Sequence, residues 1–534
     1  MRSLYLSLAL SGIAFAQQPI LTQRGTFNAA SLAPPGLPNA PIGRGSIFTV
    51  FGEALGPATS PALAFPLGND LGQVSLSVTQ DSVTIAAIPI YVSPTQINAI
   101  MPSTAKSGFA SLRVTYQGRR SNAIPIEIAD SAPGIFAVSS GGFGPGVVTN
   151  FLTAANQPVN SLQAPATPGQ VVTIWATGLG PVTFADNIAP PGGDVAAPVT
   201  ITIGGRPAAK AYSGRSPCCA GLDQVVVTIP NDAPLGCWVP VQIKAGALAS
   251  NTVTMAIAAA GATTCSDPGN PLSTLVRTPG TQAFIHVNRA DTVETVYTPF
   301  AFNGTTDALY ARFYTRPNSP FAFDPYLSYP PAGSCLVHQT LGDSYYDKTL
   351  RGALPPSASL SPQPKLTFNT GTQNAPLFAN GRPYYAAAIG GTSNSGLVGL
   401  NLATADAKVI VDPAGTNERT LASLTPAPPA WPQRSSLEFI RRNAPLDLNF
   451  TPGDATSPTA ILLYAYAAVS NSTVEVQCLA PPGATSFSIP ANILANLPTT
   501  YRVLDGSYSS LMLGTLGLSK TVSFSNGLTS PDYS

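Results

Sequence analysis

The chain has 534 residues, of which 44% are hydrophobic and 10% are charged, and its formal net charge is +1. This length suits several domains of roughly 100–200 residues each, and the hydrophobic fraction is enough to fill their cores. A chain with so few charges and no long run of lysine and arginine lacks the basic surface that a nucleic-acid partner requires, so we expect no nucleic-acid binding.

Residues 1–16 have the pattern of a secretory signal peptide. Arg2 supplies a positive charge, residues 4–13 form a short apolar stretch, and Ala14 and Ala16 form a small-x-small cleavage site. The apolar stretch is too short to span a bilayer. We therefore expect cleavage after Ala16 and a mature protein, without a transmembrane segment, that is secreted or held at the cell surface or in the periplasm.

One phrase occurs twice in the first half of the chain. Residues 45–57 read GSIFTVFGEALGP, and residues 169–181 read GQVVTIWATGLGP. Shorter matches follow each copy, including a Ser-Asn pair that opens a final alternating segment. We predict a tandem duplication of one module, with domains over residues 17–135 and 136–262.

Each copy has the pattern of a β-sandwich. Apolar residues alternate with other residues at a period of two, turns recur about every ten residues, and the 54 prolines and 47 glycines of the chain favour short strands over long helices. Leu55 and Leu179, each followed by a glycine, are expected to fill the sandwich cores at tight turns. A glycine-rich phosphate cradle is the alternative, but no helix pattern follows either phrase.

These motifs resemble a known domain family. PGQVVTIWATGLGP at 168–181, the ITIGGRP hairpin at 201–207 and QVVVTIP at 224–230 are similar to the IPT/TIG immunoglobulin-like domain. With YVSPTQIN at 91–98 and APGIF at 132–136, the tandem arrangement resembles an uncharacterised family of secreted acidobacterial-type proteins. The resemblance covers residues 22–260 and implies extracellular immunoglobulin-like modules, with no known activity or functional residue.

Six cysteines in an exported chain predict disulfides. The second copy carries an insertion between Pro207 and Gln224 that contains two of them. We predict that one of these two bonds the third cysteine of the chain and the other bonds the fourth. A vicinal disulfide acting as a redox switch is the alternative, and the last two cysteines form the remaining pair. In chain order the cysteines are Cys218, Cys219, Cys237, Cys265, Cys335 and Cys478.

The second half lacks the repeated phrase but keeps a β pattern. We predict a third β-rich domain over residues 263–430 and a C-terminal β-sandwich over 431–534, with a proline-rich linker at 425–432 and a short helix at 491–497. The fold class is therefore all-β, with tandem immunoglobulin-like sandwiches followed by two further sandwich-like domains. Strands are predicted at 283–287, 309–314, 335–339, 365–369, 397–402, 408–411, 437–440, 446–450, 461–466, 474–478, 487–490, 509–513 and 521–524.

An aromatic, proline-rich loop at 317–331 is the best candidate for ligand binding. Phe321, Phe323, Tyr326 and Tyr329 lie within it. If these rings are exposed, they could stack on sugar faces or anchor a partner protein. Alternatively, the rings fold back as a lid over the edge of the sandwich.

The chemistry-bearing residues do not form a recognised catalytic motif. His286 or His338 could act as a general base beside Asp343 or Asp347, but no G-x-S-x-G elbow is present. A strand histidine and a solvated turn are the simpler interpretations. Since no C-x2-C pair accompanies these histidines, we predict no metal site. We also predict no catalytic residue and no cofactor.

The sequence therefore favours a secreted, non-catalytic multidomain protein with a structural, adhesive or recognition role outside the cytoplasm. Its partner is unknown, and a polysaccharide or a cell-surface protein is the expected class. Two alternatives remain open: a carbohydrate-binding protein that uses the aromatic loop, and a hydrolase with its site in residues 262–430.

Overall fold

A computed structural model describes most of the chain. The residues that it describes are 17–293, 303–342, 365–369, 374–379, 384–391, 408–412, 417–420, 429–437, 439–500, 507–516, 519–523 and 529–533. The predicted signal peptide, the predicted strand at 397–402, Asp343 and Asp347 lie outside these residues. Strands dominate the described chain, which confirms the all-β prediction.

The first repeat is a β-sandwich in which one strand pairs with both sheets. β5 bonds β4 through residues 83–87 and β6 through residues 88–92, with a bulge between Pro89 and Tyr91. A bulge bends the strand, so its two halves can belong to different sheets. The strands are β1 (Ile20–Asn28), β2 (Ile42–Gly43), β3 (Ile47–Glu53), β4 (Val74–Gln80), β5 (Val83–Val92), β6 (Gln96–Ile100), β7 (Gly108–Tyr116), β8 (Arg119–Arg120) and β9 (Ile124–Ala129).

The second repeat has the same topology. Its strand order β12-β15-β14-β13-β16 matches β3-β6-β5-β4-β7, and β18 pairs β16 as β9 pairs β7. β14 also changes sheet, beside a bulge between Lys210 and Tyr212. The structure therefore supports the predicted duplication. The strands are β10 (Gly134–Ile135), β11 (Val148–Asn150), β12 (Val171–Thr177), β13 (Val199–Ile203), β14 (Arg206–Arg215), β15 (Asp223–Thr228), β16 (Gly236–Ala245), β17 (Leu248–Ala249) and β18 (Val253–Ile257).

The core of each sandwich follows from the alternation in sequence. In β4, Val74, Leu76 and Val78 are buried while the residues between them are half-buried. Leu55 and Leu179 have no exposed surface and belong to the two separate core clusters, which confirms their predicted role. Burying such a side chain stabilises the fold by about 1.5–3 kcal/mol.

The second half contains a four-stranded sheet of order β21-β29-β28-β31, a β27-β30 pair, and a larger sheet of order β26-β25-β22-β23-β24-β20-β19-β33-β32. A 3-10 helix spans Pro432–Ser436. The elements are α1 (Ser273–Arg277), β19 (Gly280–Val293), β20 (Asn303–Arg316), β21 (Ser334–Leu341), β22 (Lys365–Asn369), β23 (Asn374–Ala379), β24 (Tyr384–Gly391), β25 (Lys408–Asp412), β26 (Asn417–Thr420), β27 (Leu446–Asn449), β28 (Thr459–Ala467), β29 (Ser472–Ala480), β30 (Ser486–Ile489), α2 (Ala491–Leu494), β31 (Tyr508–Thr515), β32 (Ser519–Ser523) and β33 (Thr529–Tyr533).

Two predicted domain boundaries do not coincide with boundaries between sheets. β10, placed at the end of the first domain, pairs with β12 of the second repeat. β21 pairs with β29 across the predicted boundary at residue 430, and β33 crosses it in the other direction to pair with β19. Alternation along a strand shows which face is buried but not which distant strand is its partner.

Smaller differences concern single elements. The predicted strand at 437–440 is not a strand in its described residues, and the predicted helix at 491–497 is shortened to α2. Ile493 and Leu494 of this helix are buried in the C-terminal core. The helix therefore forms because it covers a sheet, since so few residues cannot sustain a helix alone.

Candidate functional site

The second copy of the repeated phrase lies against the first repeat. The Gly178 carbonyl accepts a hydrogen bond of 2.9 Å from the Ala132 amide. Gly178 has a φ of +89°, and a Cβ there would lie 2.2 Å from the Ala132 oxygen. Only glycine permits this close approach. The phrase thus shapes the contact between the repeats as well as the core.

A buried ion pair forms the centre of this contact. Arg215, at the end of β14, pairs with Asp223, at the start of β15, and both side chains are almost fully buried. The Arg215 guanidinium also donates hydrogen bonds to the Gly45 oxygen of the first repeat, at 2.7 Å, and to the Gly180 oxygen, at 3.0 Å. The network therefore joins both repeats through one guanidinium group.

Burial and pairing have opposite effects on the Asp223 carboxyl. Burial raises the pKa of Asp223, while the charge of Arg215 and the hydrogen bond from the Leu179 amide oppose that rise. The Leu179 amide lies 2.8 Å from the carboxylate. Removing one partner would leave a buried charge without compensation, which is far more costly than losing an exposed ion pair.

Further hydrogen bonds and apolar contacts extend the interface. Thr177 Oγ1 accepts from the Ile47 amide at 2.8 Å and donates to the Gly221 oxygen at 2.7 Å. The Asp186 carboxylate accepts from the Ser103 amide at 2.6 Å and from its hydroxyl at 2.7 Å. Buried side chains from both repeats form one cluster beside these bonds: Ile47, Leu67, Ile88, Ile100 and Ala220.

The cysteines pair differently from the main sequence prediction. Cys218 bonds Cys219, and Cys237 bonds Cys265, so the predicted bonds from the insertion to Cys237 and Cys265 are wrong. The reason is that the insertion is directed to the first repeat, where Ala220 is buried. The vicinal alternative is the one that the structure shows.

The remaining cysteine pair agrees with the prediction. Cys335 on β21 lies directly opposite Cys478 on β29, and the two are bonded. Opposed positions on neighbouring strands bring the two Cβ atoms close enough for a disulfide. This bond joins two segments that are separated by 143 residues in sequence.

The aromatic loop folds inward. Phe323 and Tyr329 are buried, and Phe321 and Tyr326 are half-buried. The Phe323 ring lies 6.4 Å from the ring of Phe143 in the second repeat. Phe323 and Tyr329 are therefore packing residues in this structure rather than exposed ligand contacts, and the loop adopts the folded-back alternative.

An ion pair holds the loop in place. Arg316, at the end of β20, donates to the Asp324 carboxylate at 2.7 Å, and both side chains are buried. The Trp238 indole of the second repeat donates to the Ala322 oxygen at 3.1 Å. The loop thus attaches β20 to the second repeat, which explains why its rings are hidden.

His338 is enclosed by aromatic rings. It lies 5.6 Å from Phe143 and 6.0 Å from Phe323 between ring centroids, in edge-to-face geometry. Burial lowers the pKa of His338 to about 4, against the opposing effects of the Gln477 side chain and the Asp324 charge.

Of the residues considered for catalysis, His338 is the one whose side chain the structure describes. His286 lies in β19, and its side chain is outside the described set, as are Asp343 and Asp347. Among the residues described, no group of three or more His, Cys, Asp and Glu side chains is placed to hold a metal ion. No helix in the same set has both the length and the apolar character needed to cross a membrane.

Sequence reasoning missed two surfaces. One is the Arg215 network, for which the only signal was an arginine in an insertion with few charges, eight residues before Asp223. The other is a shallow hollow of about 500 Å³ beside β11, where Phe151 and Leu152 are exposed. Its other lining residues are Asn150, Pro158, Ala164, Pro165, Thr167 and Gln170.

The strand pairings define a protein with tandem immunoglobulin-like β-sandwich domains. No family model matches the chain, and no curated protein matches it. Among solved structures, the extracellular region of plexin A4 is 15% identical over 44% of this chain and 18% of that chain, with a TM-score of 0.18. The chain therefore spans a small part of that relative's length.

Two other solved structures show similarly low identity. A Bacteroides ovatus protein, SGBP-B of a mixed-linkage glucan utilization locus, in complex with a mixed-linkage heptasaccharide, is 14% identical over 51% of this chain and 74% of that chain, with a TM-score of 0.19. A tetra-tandem repeat from the extending region of a large adhesion protein is 12% identical over 94% of this chain and 100% of that chain, with a TM-score of 0.14.

Proposed function

We propose that the protein is a secreted, non-catalytic multidomain protein with a structural, adhesive or recognition role outside the cytoplasm. The observation that carries the proposal is the buried Arg215 network, which fixes the second repeat to the first. Three disulfides support an oxidising compartment, and the pattern of residues 1–16 supports export.

The link between the repeats is held at its first-repeat end. Arg44 pairs with the Asp130 carboxylate at 2.9 Å, and the Asn28 amide donates to the Ala132 oxygen at 2.9 Å. Domains joined by exposed linkers with few contacts generally move relative to each other. Here the linker, the ion pair and the apolar cluster all oppose such motion, so the two sandwiches act as one rigid support.

The first repeat also contacts the C-terminal sheet. Leu37 is buried in the core formed by β28 and β29. Asn39 and Gln339 exchange two side-chain hydrogen bonds, at 3.0 and 2.9 Å. The repeats and this sheet thus form one packed unit, which suits a protein that presents surface loops in fixed positions.

We infer that both repeats are modules of the IPT/TIG type, on the basis of the buried leucine at each glycine corner. A polysaccharide or cell-surface protein is the proposed partner class. Because Phe323 and Tyr329 are buried, Phe321 and Tyr326 are the rings of the aromatic loop through which a sugar could be contacted.

The test uses the full-length protein in the cells that produce it. We expect it in the culture medium or the envelope fraction, and we expect the purified protein to be retained on isolated envelopes or on one of a panel of insoluble polysaccharides. A Phe321→Ala/Tyr326→Ala variant, compared with an Asp81→Ala control at an exposed hairpin, shows whether the loop contributes. Confinement to the cytoplasm, or turnover in a broad glycoside and ester screen, contradicts the proposal.

A further inference from the structure

The disulfides of this protein differ in exposure. Cys237, Cys265 and Cys335 are buried, with at most 4% of their surface exposed, and Cys478 is fully buried. In contrast, Cys218 is exposed and its partner is half-buried. Exposed disulfides are the ones that thiols can reach and that are more readily reduced.

The exposed bond also differs in the length of chain that it closes. Its cysteines are adjacent, whereas the other bonds close 28 and 143 residues. The stabilisation that a disulfide provides through the unfolded chain grows with the length of the closed loop. A bond between adjacent cysteines provides very little stabilisation in this way. The stability of the fold therefore does not explain why this bond is present.

The position of this bond connects it to the interface between the repeats. Cys219 donates its amide to the Ser216 oxygen at 3.2 Å and accepts from the Leu222 amide at 3.3 Å. Between Cys219 and Leu222, Ala220 belongs to the apolar cluster shared with the first repeat. The Gly221 oxygen accepts from the Thr177 hydroxyl, which in turn accepts from the Ile47 amide of the first repeat. The bonded cysteines therefore adjoin the segment of the second repeat that touches the first.

We propose that Cys218–Cys219 is a thiol-exchange site for a dithiol reductant, and that its oxidation state sets how firmly the interface segment 219–223 is held. A thiolate of the reductant attacks the exposed Cys218 sulfur, and the Cys219 sulfur leaves as a thiolate. The second thiol of the reductant then displaces Cys218 and closes its own disulfide. Two electrons pass from the reductant to the protein, and the protein cysteines end as two thiols.

Reduction acts on the interface through the backbone. The bond closes a small ring that restricts the peptide between the two cysteines, and opening the ring restores their torsional freedom. The Ser216–Cys219–Leu222 turn then loses part of its support, and Ala220 and Gly221 are held less firmly against the first repeat. The Arg215–Asp223 pair remains, so the repeats stay joined while the segment becomes more mobile.

The experiment uses the full-length oxidised protein under native conditions with limiting dithiothreitol. Thiols are alkylated at intervals and mapped by peptide mass spectrometry, and amide hydrogen exchange is followed in parallel. We expect Cys218 and Cys219 to be labelled at least about tenfold faster than the other cysteines. We expect exchange in residues 219–223 to rise about tenfold on reduction, with no change in β18.

A Cys218→Ser/Cys219→Ser variant provides the matched control. Amide hydrogen exchange in residues 219–223 of this variant should already be raised without the reductant. Adding the reductant should not raise it further. Equal labelling rates for all three disulfides, or exchange in 219–223 that is the same in oxidised, reduced and variant protein, would overturn the proposal. The inference depends on the proposed rigid interface, but the two proposals have separate readouts. Envelope retention tests the proposed function, and selective labelling tests thiol exchange, so either result can fail while the other succeeds.

Discussion

The two repeats share a fold, but the leucine amide at the glycine corner has a different hydrogen-bond acceptor in each. In the first repeat, the Leu55 amide donates to the Pro94 oxygen at 2.9 Å, so a backbone carbonyl is sufficient. In the second, the Leu179 amide donates to the Asp223 carboxylate at 2.8 Å. A buried carboxylate requires a cation, and Arg215 from the insertion supplies it.

This difference shows how a duplicated module can acquire a neighbour. The strand order and the core leucine are the same in both copies, so the sandwich itself did not need to change. The differences are concentrated at the end of the second copy that meets the first, where the carboxylate, the arginine and the vicinal cysteines all lie. The same guanidinium group that neutralises the new charge also reaches Gly45 of the other copy.

The largest expected effect comes from breaking this ion pair. Arg215→Ala leaves Asp223 buried without its partner, which should destabilise the second repeat by about 3–5 kcal/mol. Urea unfolding followed by the fluorescence of Trp175 and Trp238, both in the second repeat, measures this loss. The control is Arg206→Ala, since Arg206 forms an exposed pair with Asp232 at 3.4 Å, and it should cost about 0–1 kcal/mol.

A double variant separates the cost of leaving one buried charge unpaired from the cost of losing the ion pair itself. Arg215→Met/Asp223→Leu removes both buried charges together and should recover most of the stability that Arg215→Ala loses, because well-packed apolar residues can replace a buried ion pair. If Arg215→Ala costs no more than Arg206→Ala, the network does not hold the repeats together.

The core leucines test whether the two corners are equivalent. Leu55→Ala and Leu179→Ala each remove a fully buried side chain, and each should cost about 2–5 kcal/mol. Amide hydrogen exchange in β6 and β15 measures the loss in each repeat separately. Similar losses would mean that the corner acts only through its own core, while a clearly larger loss for Leu179→Ala would show that it also supports the interface.

The second repeat has another neighbour, and this contact should depend on pH. The pKa of His338 is lowered to about 4 in the folded protein by burial between the second repeat and the C-terminal sheet. The unfolded chain has the higher value, so the contribution of His338 is complete above about pH 6.5 and decreases as pH falls towards 4. The full decrease is about 3 kcal/mol.

His338→Phe isolates this effect, since phenylalanine keeps a ring in the cavity and does not titrate. Urea unfolding from pH 7.5 to 4.5 should show the wild type losing stability relative to the variant below about pH 6.5. Burial raises the pKa of Asp267 to about 6, which acts in the opposite direction, but Asp267 is present in both proteins and cancels in the difference. A constant difference across this range contradicts the assignment.

Local pattern was enough to predict much of this architecture. The alternation of Val74, Leu76 and Val78 shows a half-buried strand, and the two copies of the phrase align because each must bury one leucine at a glycine corner. Cys335 and Cys478 are the pair that remains after the other four cysteines are assigned, and the structure places them opposite each other on β21 and β29. For the strands and the glycine corners, the information lies within a few neighbouring residues.

The site depended on contacts between distant residues, and these were not predictable. Nothing near Arg215 in sequence indicates that its guanidinium reaches Gly45, 170 residues away. The vicinal disulfide is the weaker expectation from sequence because bridges between adjacent cysteines are uncommon. The direction of the insertion is set by the first repeat and cannot be read from the insertion's own residues. The pairing of β21 with β29 was missed for the same reason, since strand pattern does not identify a distant partner.

Two glycines with nearly equal φ values test how closely the repeats approach each other. Gly221 has a φ of +74° and Gly205 a φ of +77°, so alanine at either position costs about 1–2 kcal/mol. A Cβ at Gly221 would lie 2.8 Å from Ile47 and 2.9 Å from Ile100 of the first repeat, while nothing lies within 4 Å at Gly205. Gly221→Ala should therefore cost about 1–3 kcal/mol more than Gly205→Ala, measured by the same unfolding assay. Equal costs would mean that the first repeat can move away from the insertion without penalty, and the two sandwiches would then not form a rigid pair.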